Sequence, residues 1–143
     1  MSFCSSLDIV GSALTAERFR TDIITQNIAN AETTVTANGE PYRRQQVVFQ
    51  EVPLSFSAEL NKAASKTKGG VKVSEVVESD RDFILKYEPD NPNADENGYV
   101  RYPNVDKTEE MIDLMAASNA YEANLTALSV VKAMINKTLE INK

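Results

Sequence analysis

The sequence contains no histidine and no tryptophan, and its single cysteine is Cys4. Without an imidazole there is no histidine base and no ordinary zinc site. One thiol can neither close an internal disulfide nor work in a Cys/His pair. Most familiar catalytic arrangements are excluded by that shortage alone. Long apolar runs are missing as well: no charge-free stretch exceeds nine residues, at 23–31 and 123–131, whereas a membrane span needs roughly 20. The first basic residue is Arg18 and Asp8 interrupts the opening residues, so the charged and apolar regions of a secretory signal are not found there. If the chain leaves the cytoplasm, a different exporter is expected to carry it. Positive charge is also scarce, with 15 lysines and arginines against 21 acids and a net charge of −6, which disfavours nucleic acid and anionic lipid as partners.

What is present divides the 143 residues into three textures. All the glycines and prolines except Gly11 lie between Gly39 and Pro103, so the two ends hold a single breaker and the middle is full of them. We read 1–34 and 106–143 as the two halves of an inner helical domain, and 35–105 as a β-rich central region with a mobile loop near 55–68. At the first end Leu7, Val10, Leu14, Ile24, Ile28 and Ala31 fall on one stripe of alternating three and four spacing, interrupted by Glu17 and Thr21. Ile9, Ala13, Ala16 and Ile23 widen that face. Ser5 with Asp8 is expected to cap this helix, and Asn27 or Asn30 to supply the tolerant backbone at its end.

At the other end the same spacing runs through Met111, Leu114, Ser118, Tyr121, Leu125, Leu128, Lys132, Ile135 and Leu139. Asp106 with Glu109 makes a capping pair, and Pro103 separates the helix from what precedes it. In between, 42–49, 71–77, 82–87 and 99–102 are rich in β-branched and aromatic residues, and Asn97-Gly98 predicts a tight hairpin turn. The fold expected is α+β, with long N- and C-terminal helices packed as a coiled coil around a β-rich middle containing hairpins. An isolated helix of this kind needs a partner. Pairing the two still leaves Ile9, Ile23, Ile112, Met115 and Met134 without obvious cover, which points to neighbouring chains.

Individual motifs favour contact over chemistry. Arg43 and Arg44 beside Tyr42 fit salt bridges or a solvated strand face better than phosphate binding in so acidic a chain. The adjacent acids Glu109-Glu110 and Asp95-Glu96 cannot face one another across a substrate. Asp90, Asp95 and Asn97 lack the twelve-residue loop and closing glutamate of a calcium site. Asn27 and Asn30 either bond across a subunit boundary or end the first helix, and 87–104 is either an intersubunit arm or a local turn. A small hydrolase or ligand-binding domain built on carboxylates would require a compact monomer with a deep pocket.

The motif Ala13-Leu14-Thr15-Ala16 followed by Asn27-Ile28-Ala29-Asn30-Ala31 and Thr33 resembles the N-terminal signature of the flagellar rod and hook proteins. Further matches are Pro41-Tyr42-Arg43, Gln46-Val47-Val48-Phe49-Gln50, Gly69-Gly70-Val71-Lys72-Val73 and Tyr87-Glu88-Pro89. They continue through Asn97-Gly98-Tyr99-Val100, Pro103-Asn104-Val105-Asp106, Glu110-Met111 and 121–124, and look like those of a proximal-rod subunit. The lack of a large inserted outer domain argues against a hook or distal-rod subunit, while a sister rod protein is the alternative.

The resemblance implies a non-enzymatic structural subunit of the drive shaft that transmits torque and surrounds the export channel, in a rod crossing the periplasm. It implies export by the flagellar type III apparatus without a cleavable signal. Implied neighbours are further copies of the chain, FlgB, FlgF, FlgG, the adaptor FliE and the membrane ring. No cofactor, metal, nucleic acid or direct membrane insertion is expected. Subunit contacts are expected from Leu14, Asn27, Ile28 and Asn30 near the first helix, and from Tyr99 and Tyr102 in the middle. On the last helix they are expected from Met111, Tyr121, Asn124, Leu125, Leu128, Ile135 and Leu139.

Overall fold

The computed structural model describes residues 3–52 and 69–141. Helix α1 spans Phe3–Ala29, strands β1 to β4 span Gln45–Glu51, Val71–Glu78, Ile84–Tyr87 and Tyr99–Tyr102, and helix α2 spans Lys107–Ile141. The expected α+β architecture is present, with two long helices flanking two antiparallel strand pairs. The loop expected near 55–68 lies outside the described residues.

The helices pack antiparallel: Asn27 of α1 reaches Glu110 of α2, and Arg20, nearly two turns back along α1, reaches Asp113, further along α2. Buried or half-buried positions on α2 are Glu109, Glu110, Asp113, Leu114, Ala117, Ala120, Asn124, Leu128, Val131 and Ile135. That face is rotated from the expected stripe. Leu114, Leu128 and Ile135 are shared, but Met111, Ser118, Tyr121, Leu125, Lys132 and Leu139 are exposed, and Ala117 and Ala120 take the seam. Alanines allow closer approach of two helix backbones than leucines do, so the bulky residues fall to the outside. On α1 the seam holds Ala16, Ile23 and Ile24. Ile23 is therefore covered, beside β1, whereas Ile9, Ile112, Met115 and Met134 remain exposed as expected.

The helix ends differ in detail from the sequence reading. Ser5 lies inside α1, which is already helical at Phe3. Among the described residues none other than glycine has positive φ, so neither Asn27 nor Asn30 ends α1 in a left-handed conformation. Turns at 30–33 do so instead, through Asn30 N–H to the Gln26 carbonyl and Thr33 N–H to the Asn30 carbonyl. Asp106 does cap α2, its carboxylate accepting from the N–H groups of Thr108 at 2.8 Å and Glu109 at 3.4 Å. Glu109 does not complete a capping box, because its carboxylate is taken by Arg81 and Arg44.

β1 pairs with β2 from Gln45↔Glu78 to Glu51↔Val71, with a register shift at Val48/Phe49 that leaves Ser74 as the extra residue of β2. β3 pairs with β4 from Ile84↔Tyr102 to Tyr87↔Tyr99. Their connection is the longer loop 88–98 rather than a two-residue turn. Asn97-Gly98 closes only its last turn, with Gly98 at φ +81° and its N–H on the Asp95 carbonyl. Asp95 also accepts from the N–H groups of Asn97 and Tyr99.

Candidate assembly interface

Two features dominate the surface and its support: a buried polar joint where helices and β1 meet, and apolar side chains left outside.

The joint is built around Asn27, which is 1 % exposed. Its Nδ2 donates to the Gln45 carbonyl at 2.8 Å and to Glu110 Oε2 at 2.9 Å. Its Oδ1 accepts from the Tyr42 hydroxyl at 2.9 Å and the Gln45 N–H at 3.0 Å. All the hydrogen-bonding capacity of a carboxamide is thereby used. Glu110 is fully buried, and its other oxygen accepts from Arg44 Nε. The remaining Arg44 nitrogens reach Asp113 at 2.9 Å and Glu109 at 3.2 Å. Asn104, on the approach to α2, accepts the Arg44 N–H at 2.7 Å and donates to the Ser79 and Arg81 carbonyls. One buried cation against three carboxylates is the pairing that makes such burial tolerable. Burial first, then the charges of Glu110 and Glu78, push the Tyr42 phenol up to about 12.

Arg44 thus fulfils the salt-bridge reading, while its neighbour Arg43 lies over the Phe83 ring at 4.4 Å. The sequence reading missed Glu110 as a buried residue. The available signal was its spacing of four and seven from Leu114 and Ala117, which places it on the buried face of α2.

The expected contact residues of the helices fall into three groups. Asn27 is inside the joint. Asn30 bonds locally, donating to the Gln26 carbonyl and accepting from Thr33. Leu14, Ile28, Asn124, Leu128 and Ile135 are half-buried along the helices. Met111, Tyr121, Leu125 and Leu139 are exposed, and with Ile112, Met115 and Met134 they leave apolar side chains along the outside of α2. In the middle region Tyr99 is exposed and packs edge-on against Tyr87 at 5.3 Å, whereas Tyr102 is half-buried and donates to Glu88. Lys86 sits 4.3 Å over the Tyr102 ring. The structure does not bring these three groups into one patch.

Comparison with known proteins places this geometry. Residues 7–35 match the model of the flagella basal body rod protein family, and 96–141 match that of the flagellar basal body rod FlgEFG protein C-terminal family. The chain is 46 % identical over 150 residues to the flagellar basal-body rod protein FlgC of Bacillus subtilis strain 168, covering all of both chains. It is 43 % identical over 143 residues to that of Salmonella typhimurium strain LT2, again over the whole of both. With the counterpart in Borreliella burgdorferi it shares 38 % identity across 99 % of this chain and 98 % of that one. A chain so similar over its whole length, with long proline-free helices at both ends and an uncovered apolar surface, belongs to the FlgC family of flagellar basal-body rod proteins.

Proposed function

We propose that the chain is a subunit of the proximal part of the rod, one segment of a drive shaft that carries torque across the periplasm and encloses the export channel. In this reading 1–34 and 106–143 form the inner helical domain and 35–105 the outer one. Its neighbours are further copies of itself, FlgB, FlgF, FlgG, the adaptor FliE and the membrane ring. It reaches them through the type III exporter.

The observation that carries this reading is the apolar exterior of α2, from Met111, which is 57 % exposed, to Leu139, in a chain of this family. Apolar side chains in such number on one helix are stable in water chiefly when other subunits cover them. Many small interlocking contacts also resist shear better than one strong bond, which is what a torque-bearing shaft needs.

Deletion from Thr138 onward tests the reading. It removes the last turn of α2 with Leu139, and is expected to leave expression intact while abolishing rod assembly and motility. A motile deletion strain would overturn the proposal.

A further inference from the structure

β1 and β3 each have an outer edge on which no strand pairs among the described residues. Hydrogen-bond parity shows which main-chain groups lie there. The Arg44 carbonyl accepts from Ser79, and the Val52 N–H donates to Gly70, so even-numbered residues of β1 turn toward β2. Val47, Phe49 and Glu51 therefore turn their N–H and C=O groups to the outer edge. On β3 the Glu88 N–H donates to the Gly98 carbonyl, which leaves Leu85 and Tyr87 facing outward in the same way.

The β1 edge is already begun. The Asn27 carboxamide contacts both the N–H and the carbonyl of Gln45, as a residue of a neighbouring strand would. Beyond that position a groove of about 350 Å³ opens beside β1, with Ile23 and Ile24 as apolar floor and Arg20 and Asp113 at its side. Arg20 makes only long contacts there, 3.9 Å to Glu17 and 3.9 Å to Asp113. An extended segment carrying an acid beside an apolar run would complete it.

Such a segment exists in the chain itself. β3 is exposed throughout, with Ile84, Leu85 and Tyr87 on the surface, and exposed Asp80 and Asp82 stand immediately before it. Exposed edges with apolar side chains pair readily with other strands. We propose that the outer edge of β1 receives the outer edge of β3 from a second copy as an added strand, with the second copy's Asp82 beside Arg20. The two edges are different surfaces, so a first contact leaves the β3 edge free on one copy and the β1 edge free on the other, and the contact propagates into a ring or an open array. The occupant rests on the reading that copies of this chain meet in the rod; the free edge of β1 does not.

Sedimentation of the purified full chain over a concentration series tests the pairing, with circular dichroism confirming that each variant keeps its helices. Val47→Pro removes an N–H that the β1–β2 ladder does not use, and proline is tolerated at such an edge position. Wild type is expected to associate reversibly, and Val47→Pro to weaken association roughly tenfold or more by blocking the added strand. Asp82→Arg, at an exposed site, should weaken it comparably, and Arg20→Asp combined with Asp82→Arg should restore it. Wild type that stays monomeric, Val47→Pro that associates like wild type, or a charge swap without recovery would each overturn the proposal. None of these results bears on the motility of the Thr138 deletion strain, so the two readings fail separately.

Discussion

Tyr42 shows how one residue ties the joint to solution conditions. Its hydroxyl donates to Asn27, and its phenol holds its proton to about 12 in the folded chain against an ordinary value of 10.0. Because the folded state keeps that proton longer than the unfolded state, the associated stability is present below pH 10.0 and is lost as pH rises toward about 12. Tyr42→Phe should cost about 1 kcal/mol at neutral pH through the lost hydrogen bond. It should also flatten the alkaline decline, as urea midpoints measured across that window would show. An alkaline limb unchanged in the variant would mean that another group titrates there. The acid side runs the other way. Backbone N–H groups hold the Asp106 carboxyl below its usual range, and Arg81 does the same for Glu109, so both contributions fade as pH falls through those lowered values. At this scale the sequence was only partly legible. Arg44 could be assigned to ion pairs because a basic pair in an acidic chain has carboxylates to find, and Asp106 could be assigned as a cap from local pattern. Asn27 and Glu110 could not be joined, since they are far apart in sequence and meet only when two helices pack.

Elements were more readable than their faces. The helices and strands among the described residues lie close to where periodicity and breakers put them, because the scarcity of glycine and proline in one region and β-branched runs in another are local properties. Which side of α2 is buried is not local. Leucine-like spacing suggested Met111 and Leu125, but the seam took Ala117 and Ala120, whose small side chains suit close helix approach. The β3–β4 connection illustrates the same limit: Asn97-Gly98 is a turn directly before β4, yet β3 ends at Tyr87, on the far side of a longer loop. Gly98 gives this element a clear test. At φ +81° an alanine would be strained, and its Cβ would stand 2.9 Å from Tyr87 Cε2. Gly98→Ala should therefore destabilise the chain by at least about 1 kcal/mol. It should also disturb the Tyr87–Tyr99 edge contact, seen as faster amide exchange across β3 and β4 with α1 and α2 unaffected. Unchanged exchange there would contradict this account of the turn.

For the whole molecule, the division between what is buried and what is not yields a separate expectation. Met111 touches the outside rather than the seam, so Met111→Lys should change folding stability by no more than about 0.5 kcal/mol. If neighbouring subunits cover that face, the same change should reduce motility and the yield of intact rods; full motility would remove Met111 from the set of contacts. The antiparallel packing also decides where the two helices finish. Counting from the Asn27–Glu110 contact, α1 runs back for about 36 Å and α2 runs on for about 46 Å, so α2 overshoots α1 by roughly 10 Å. The start of α1 and the finish of α2 consequently lie at one pole, with β3 and β4 toward the other, while β1 and β2 run along α1 from Asn27 back to Ser12. A fluorescent label joined at either place would mark the same pole, and labelling the opposite one requires an insertion such as within 88–98.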